Sequence, residues 1–358
     1  MQDCGRNTAV GEEDRSEVAG LSDIAKAAGV SVSTVSRVLN RRAGIKEDTR
    51  QRVLAVLNEM PHTARGIGAL RRTGVIGLLV PELSNPVFPA FAEALEARAV
   101  GAGYASLLCN TRVGMSEEDY VRMLIARGVE GMVFVSPEIA NTEGEQRISR
   151  SYYEKLLADG VRMVFVNGGA PTLDVPDVAV DEHLAGYTAT RHLLDLGHRR
   201  IGFVSGPARA VPSRLKRAGW AAALEEADIA PDPRLVAHAP FGAEGGAQAM
   251  AELLETAGPT AVMCSSDVMA LGAMREAKRR GLATPEDLSV VGFDDIALAS
   301  YCQPALTTLA QPIEEMAAAA VDELSRRLDP DQPGRATTSF SRMFRPNLVV
   351  RESTAAPR

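Results

Sequence analysis

Residues 21–40 read LSDIAKAAGVSVSTVSRVLN, and the apolar spacing of this stretch predicts two short helices joined by a tight turn. Apolar residues such as Ile24 and Ala28 recur at helical intervals and form the inner face of the first helix. Gly29 can adopt the left-handed backbone that a turn between helices needs. Ser31 is placed to cap the second helix, because its hydroxyl can accept from a free backbone N–H in the first turn. The stretch therefore predicts a helix-turn-helix.

The second helix of this pattern has one apolar face and one polar face. Val35 and Val38 face inward at helical spacing. Short polar side chains and an arginine face outward, where they can approach base edges and phosphates in the major groove of DNA. The outward residues are Val32, Ser33, Thr34, Ser36 and Arg37. A surface helical hairpin with no role in DNA binding is the alternative interpretation.

Charge is distributed unevenly along the 358 residues. The formal net charge is −7, yet residues 21–72 contain ten basic and four acidic side chains, a net charge of +6, and residues 73–358 carry −10. A basic segment at one end of an acidic chain is typical of a DNA-binding domain attached to a domain with another role. The charge pattern therefore favours a DNA-binding helix-turn-helix over a surface helical hairpin with no role in DNA binding.

Beyond Gly74, apolar runs of strand length alternate with amphipathic helical segments. Strands that are apolar throughout and alternate with helices indicate parallel sheets covered on both faces. The fold class is therefore an α-helical head followed by an α/β body, and the length of the body favours two doubly wound lobes. The runs are VIGLLV (75–80), ASLLC (105–109), GMVFVS (131–136), MVFVN (163–167), IGFVS (201–205), AVMCS (261–265) and SVVGF (289–293).

Residues 23–40 resemble the head of the LacI/GalR family of bacterial repressors, whose pattern is DVAxxAGVSxxTVSRVLN. The matching residues are Asp23-Ile24-Ala25, Ala28-Gly29-Val30-Ser31 and Thr34 to Asn40. The resemblance implies that Val32 and Ser33 read bases and that Arg37 contacts a base or the backbone. It implies phosphate contacts for Thr34, Ser36 and Asn40, and it adds Ser22 and Ser31 to the DNA-contacting set.

Residues 60–74, MPHTARGIGALRRTG, occupy the place of the family's hinge helix, which wedges a leucine into the minor groove. This stretch is shorter than the usual connection, and Gly66 and Gly68 each weaken a helix by about 1 kcal/mol relative to alanine. Leu70 best resembles the wedge, with Ile67 as the alternative. A flexible linker without a hinge helix is also compatible with the sequence.

The resemblance continues through the body and implies the periplasmic-binding-protein-like fold, in which two lobes close on a small molecule. Open α/β sheets bind ligands at the carboxyl ends of their strands. Lys216 stands where the family has its ligand-clamping arginine, and a lysine offers a point charge in place of a bidentate fork. The residues expected at the effector are Phe88, Asn167, Arg214, Lys216, Phe241, Asp267 and Gln311.

Several of these residues have a structural alternative. Asp267 suits a ligand hydroxyl, but it could equally cap the helix that follows. Asn167 could simply belong to a turn, and Trp220 could lie either in the core or at the edge of the cleft. Arg217, like Arg214, could substitute for the missing arginine. Asp294-Asp295 looks like an acid pair, yet it is interpreted as a structural turn.

The sequence excludes several other classes of protein. Four widely spaced cysteines and five histidines show no metal-ligand spacing, and no cofactor motif is present, so neither an enzyme nor a metalloprotein is expected. No run is apolar enough to span a membrane, and the acidic first 20 residues do not fit a signal peptide, which predicts a cytoplasmic location without a membrane partner. An NAD-dependent Rossmann enzyme would need GxGxxG after the first strand.

The domain limits follow from these patterns. A disordered extension at 1–20 precedes the head at 21–59 and the hinge at 60–74, and a loose, frayed tail at 353–358 follows the body at 75–352. Within the body, the N-lobe is predicted at about 75–178 and 308–337, and the C-lobe at about 179–307 and 338–352.

The sequence therefore predicts a transcriptional repressor that binds double-stranded, palindromic operator DNA as a homodimer, which could assemble further into a tetramer. One helix-turn-helix reads few base pairs, so two heads on two half-sites supply affinity and register. A small-molecule effector, a sugar or related polyol by resemblance, would change lobe closure and hence DNA affinity. The alternative is a sugar-binding protein without DNA function.

Overall fold

The computed structural model describes the chain in seven stretches and divides it into two compact units, 1–73 and 74–358. The described residues are 21–39, 45–59, 73–112, 114–141, 150–168, 173–329 and 341–358.

The first unit contains the helices α1 (Leu21–Ala28), α2 (Val32–Leu39) and α3 (Glu47–Glu59). Their shared core includes Ile24, Val35 and Val53, each with a fully buried side chain. This apolar cluster packs the described parts of the three helices together.

The turn between α1 and α2 has the expected conformation. Gly29 adopts φ +65°, and the N–H of Val30 donates to the carbonyl of Ala25 at 2.9 Å, which closes the end of α1. The Ser31 hydroxyl accepts from the Thr34 N–H at 3.1 Å and caps α2. The helix-turn-helix predicted from the sequence is confirmed.

The second unit contains a six-stranded parallel sheet in its N-lobe, in the order β11-β5-β4-β3-β1-β2. Apolar side chains from alternate positions of the same strands enter two separate clusters: Leu78 and Val133 on one face, Leu79 and Phe134 on the other. This double burial explains the uninterrupted apolar runs. The elements are β1 (Val75–Val80), α4 (Val87–Gly101), β2 (Ala105–Asn110), α5 (Glu117–Ala126), β3 (Gly131–Val135), α6 (Glu138–Asn141), α7 (Arg150–Ala158), β4 (Arg162–Val166), β5 (Asp177–Val180), α13 (Ile313–Leu328) and β11 (Ser341–Phe344).

The C-lobe is built on a four-stranded parallel sheet, β7-β6-β8-β9. Beside it lies an antiparallel pair, β10 with β12, joined to the end of β9 by bridges such as Val291–Thr307. The elements are α8 (Glu182–Asp195), β6 (Ile201–Ser205), α9 (Val211–Glu226), β7 (Val236–His238), α10 (Ala243–Thr256), β8 (Ala261–Cys264), α11 (Asp267–Arg279), β9 (Ser289–Val291), α12 (Leu298–Tyr301), β10 (Thr308–Ala310) and β12 (Asn347–Val349).

The two-lobed α/β class is as predicted, and the lobe boundaries need correction. Residues 338–352 were assigned wholly to the C-lobe, but β11 pairs in parallel with β5 of the N-lobe. Residues 308–310 were assigned to the N-lobe, but β10 lies against the C-lobe strands. The chain therefore passes between the lobes after β5, after β10 and after β11.

The residues predicted as a loose tail are packed against the C-lobe. The Ser353 side chain is fully buried, and its hydroxyl donates to the carbonyl of Val290 at 2.6 Å. Farther along, the carbonyl of Ala355 lies 2.9 Å from Nε2 of the buried His198. These hydrogen bonds fix the segment beside β9, so the expectation of a frayed end at 353–358 is wrong.

Helices α8 and α9 pack closely because glycines face each other's backbone. A Cβ placed on Gly219 would lie 1.9 Å from the carbonyl oxygen of His183, and one placed on Gly186 would lie 2.0 Å from that of Lys216. Neither contact can be relieved without moving backbone. The glycines therefore set the distance between the first turn of α8 and the middle of α9.

We predict that Gly219→Ala lowers the free energy of unfolding by about 2 to 3 kcal/mol, because the methyl group forces α8 and α9 apart. Urea unfolding followed by circular dichroism measures the loss. Gly101→Ala is the matched control, since a Cβ at Gly101 meets nothing within 4 Å. Equal stability of the two variants would contradict the packing argument.

Candidate functional site

Helix α2 presents the surface that the sequence assigned to DNA. Val32 is 44% exposed although it is apolar, and Ser33 and Arg37 are also exposed, whereas Val35 and Val38 are buried. Exposure of an apolar side chain beside polar ones at the start of a helix suits contact with base edges. The polar and apolar faces of α2 are therefore divided as predicted.

The capping hydroxyl of Ser31 also organises its neighbours. Its Oγ lies 2.8 Å from Oγ of Ser33 and 2.8 Å from Oγ1 of Thr34, and Thr34 is only half-buried. Three hydroxyl groups thus gather at the N-terminus of α2, where free backbone N–H groups favour a negatively charged partner. A DNA phosphate has the required charge.

The remaining residues predicted to contact DNA are less fully described. Ser22 lies in α1 and Ser36 in α2. Asn40, Ile67 and Leu70, together with most of the predicted hinge at 60–74, lie outside the described residues.

A cavity lies between the two lobes of the body, and five of the seven residues expected at an effector line it: Phe88, Asn167, Lys216, Phe241 and Gln311. Phe88 belongs to α4 of the N-lobe and Lys216 to α9 of the C-lobe, so both lobes contribute to the wall. Other polar wall residues are Glu82, Asn85, Arg112, Ser136, Glu182, Ser265, Ser266 and Asp294.

A chain of hydrogen bonds crosses this cavity from one lobe to the other. The Asn167 side chain, held at φ 54° after β4, accepts from the Val180 N–H at 3.0 Å and donates to Oε1 of Gln311 at 3.1 Å. The Gln311 amide nitrogen donates to Oδ1 of Asp294 at 2.7 Å. The side-chain amides of Asn167 and Gln311 each donate one hydrogen bond and accept another. We call Asn167, Gln311 and Asp294 together the interlobe relay.

Lys216 is buried and paired in the C-lobe wall. Its ammonium forms an ion pair with the carboxylate of Glu182 and lies 3.8 Å from the centroid of the Phe293 ring. The two charged side chains are 3% and 11% exposed. A charge buried this deeply needs such partners, because it has lost its water.

Burial raises the pKa of two acids in the cavity wall. The pKa of the Asp294 carboxyl is raised well above its usual range, first by burial and then by the nearby carboxylate of Asp267. Burial also raises the pKa of Glu182, and the ammonium of Lys216 partly opposes this shift. The cavity wall therefore disfavours additional negative charge.

Asp294 is a site residue that the sequence analysis missed. The Asp-Asp pair was interpreted as a structural turn, and both residues do have positive φ, 120° at Asp294 and 57° at Asp295. Asp295 has the expected structural role, since it forms an ion pair with Arg351 at 2.6 Å. Asp294, in contrast, lines the cavity. The position three residues after β9, at the carboxyl end of a strand, was the available signal.

Asp267 and Arg214 do not line the cavity. The Asp267 side chain is fully buried, and its carboxylate accepts from Thr308 Oγ1 at 2.5 Å and from the Ile296 N–H at 2.9 Å. The N-cap of α11 is Ser266, so Asp267 is neither a cap nor part of the wall. Arg214 and Arg217 are exposed on α9, away from the buried side of the helix that carries Lys216.

Trp220 lies in the core, where its indole N–H donates to the carbonyl of Ile201 at 3.1 Å. Within the described part of the chain, no group of three or more histidine, cysteine, aspartate or glutamate side chains is arranged to hold a metal ion. No helix among these residues combines the length and apolarity needed to cross a membrane.

Comparison with known proteins identifies both units. The family "bacterial regulatory proteins, lacI family" matches residues 20–63, and the periplasmic binding protein-like domain matches residues 190–354. An uncharacterized HTH-type transcriptional regulator in the aml 5' region of Streptomyces limosus is 45% identical, covering 94% of each chain. The regulator MalR of Streptomyces coelicolor is 40% identical over 94% of this chain and 96% of its own, and the repressor CytR of Escherichia coli K12 is 34% identical over 94% and 97%.

Two solved structures resemble the chain over most of its length. The complex of the transcriptional regulator CelR with cellobiose has a TM-score of 0.70 at 29% identity, covering 94% of this chain and 100% of its own. The lac repressor dimer bound to operator and the anti-inducer ONPF has a TM-score of 0.70 at 28% identity, covering 95% of this chain and 100% of its own.

A helix-turn-helix head and a two-lobed body with a polar cleft define a DNA-binding transcriptional regulator with a ligand-binding domain. The chain belongs to the LacI family of bacterial regulatory proteins.

We predict that Asp267→Ala lowers the free energy of unfolding by about 3 kcal/mol in the absence of any ligand, because two buried donors lose their acceptor. Urea unfolding measures it. Asp322→Ala is the control, since this aspartate is exposed in an ion pair with Arg98 and its loss should change stability by about 0.5 kcal/mol or less. A stable Asp267→Ala protein would return Asp267 to the list of candidate ligand contacts.

Proposed function

We propose that the chain is a repressor that works in the cytoplasm and binds a palindromic operator as a homodimer, two heads on two half-sites. The observation that carries this proposal is the N-terminus of α2, where Val32, Ser33 and Arg37 are exposed beside a capped helix end. The CytR relative is named a repressor, and the lac repressor structure is a dimer on its operator. A tetramer would add a second pair of heads.

Within this proposal, Val32 and Ser33 choose the bases, and Arg37 contacts a guanine or the backbone. Ser22, Ser31, Thr34, Ser36 and Asn40 supply contacts to phosphates. The segment 60–74 joins the head to the body, with Leu70, or else Ile67, entering the minor groove.

We further propose that the cavity binds a sugar or related polyol, and that the protein acts by binding and not by catalysis. Amide and hydroxyl groups converge there with aromatic faces, Phe88 and Phe241, which is the chemistry that holds a sugar ring. CelR is a relative in structure whose complex contains cellobiose. The sugar shifts operator affinity only if it binds the open and closed lobes differently.

We predict that Arg37→Ala weakens binding to a palindromic site selected from random DNA by about tenfold or more, the loss expected for one good arginine contact. If the contact is to phosphate, the slope of log affinity against log salt falls by about 1. Fluorescence anisotropy at several salt concentrations measures both. Arg127→Ala, which removes an exposed arginine of the body, is the control.

Operator binding by Arg37→Ala that matches the wild type would contradict the assignment of α2 to the major groove. Failure of the wild-type protein to select any DNA at low salt would contradict the repressor function itself and favour a sugar-binding protein without DNA function.

A further inference from the structure

We propose that Lys216 and Glu182 form a matched charge pair that makes the cleft accept a neutral sugar and reject its anionic counterpart. This inference rests on the proposed function of the cavity as an effector site. It concerns the charge of the effector, which the presence of a sugar-binding cleft leaves open.

Both cations that line the cavity already have partners. The ammonium of Lys216 is held by the Glu182 carboxylate and covered by the Phe293 ring. Arg112, the other cation of the described wall, forms an ion pair with Glu82 at 3.4 Å. An incoming carboxylate or phosphate would have to compete with Glu182 or Glu82 for its counter-charge.

The wall also has an excess of acid. Of the described side chains that line the cavity, three are acidic (Glu82, Glu182 and Asp294) and two are basic (Arg112 and Lys216). Once the two ion pairs are formed, Asp294 is left with the Gln311 amide as its hydrogen-bond donor and with the Asp267 carboxylate nearby. A ligand carboxylate would make a charged Asp294 still more costly, whereas a sugar hydroxyl can donate to a charged Asp294 or accept from a neutral one.

The lysine at position 216 offers a ligand fewer contacts than an arginine would. An ammonium has three donors and no fixed fork, so one carboxylate and one aromatic face occupy most of its surroundings. A guanidinium could keep one edge for a carboxylate of the protein and offer the other to a ligand. The pairing of Lys216 with Glu182 therefore leaves the described C-lobe part of the wall without an unpaired cation for an anionic effector.

The position of the pair is fixed by the fold. Glu182 is the first residue of α8 and Lys216 lies on α9, and Gly186 and Gly219 hold these helices in close contact one turn away from the pair. Both side chains are also buried in the wall, with 3% of Lys216 and 11% of Glu182 exposed. The pair is thus a built part of the cleft wall and differs from a mobile surface ion pair.

The test uses the full chain with D-glucose, D-glucuronate and D-glucosamine, three probes that share a ring and differ in charge. Isothermal titration calorimetry at neutral pH should show glucuronate binding the wild-type protein at least about tenfold more weakly than glucose. Glu182→Gln frees the ammonium of Lys216, so the ratio of affinities should move by about tenfold or more toward glucuronate.

Lys216→Gln makes the opposite change and keeps the test decisive if Glu182→Gln does not fold. It leaves the Glu182 carboxylate unpaired, so the ratio should move toward glucosamine. Glu225→Gln removes an exposed carboxylate on the same helix as Lys216 and should leave all three affinities unchanged.

Wild-type protein that binds glucuronate as tightly as glucose overturns the inference, and so do ratios that neither Glu182→Gln nor Lys216→Gln alters. Both results leave a sugar-binding cleft intact and so spare the proposed function. Binding of none of the three probes contradicts the sugar proposal and this inference together, whatever the operator-binding assay shows.

Discussion

The hydrogen-bonded relay from Asn167 through Gln311 to Asp294 is the interaction on which the ligand-binding body depends. It joins a residue at the end of an N-lobe strand to a residue at the end of a C-lobe strand, through a side chain on one of the connecting segments. Each member is held by its own backbone position, with positive φ at Asn167 and Asp294. A ligand that enters the cavity must either share these hydrogen bonds or replace them, so it acts on both lobes at once.

Close helix packing supplies the second half of the site. Gly186 and Gly219 let α8 and α9 approach until backbone meets backbone, and this approach places Glu182 beside Lys216. The interlobe relay and the Lys216–Glu182 ion pair line the same cavity. The ammonium of Lys216 lowers the pKa of the Asp294 carboxyl and so partly opposes the effect of burial. The geometry of the fold thus determines the electrostatics of the cleft, because buried charges interact strongly only at short range and in low dielectric.

The sequence was sufficient for features that are local along the chain. The helix-turn-helix, its Gly29 turn and its Ser31 cap depend on neighbouring residues, and the seven long apolar runs are all strands in the structure. The short strands β5, β7, β10, β11 and β12 have three or four residues each and lie outside the long apolar runs, so no pattern in the sequence marks them. Their pairing partners, and so the lobe to which β11 belongs, are decided by contacts distant in sequence.

The same limit applies to the site. Five of the seven effector residues named from resemblance line the cavity, because a strand end or a helix face follows from the local pattern. The pairing of Lys216 with Glu182 spans two helices and depends on glycines that look unremarkable in the sequence. Asp267 and Asp294 exchange their expected roles because both follow a strand. Only the structure shows that the Asp267 carboxylate accepts hydrogen bonds from Thr308 and Ile296.

The central claim is that a ligand in the cleft and DNA on the head are thermodynamically linked. Linkage is reciprocal, so the most direct measurement is the affinity of the full chain for a neutral sugar that stabilises it, with and without saturating operator DNA, by titration calorimetry. The account predicts that operator changes this affinity by about fivefold or more, and that Gln311→Ala reduces the change. Equal sugar affinity in the presence and absence of operator would contradict it.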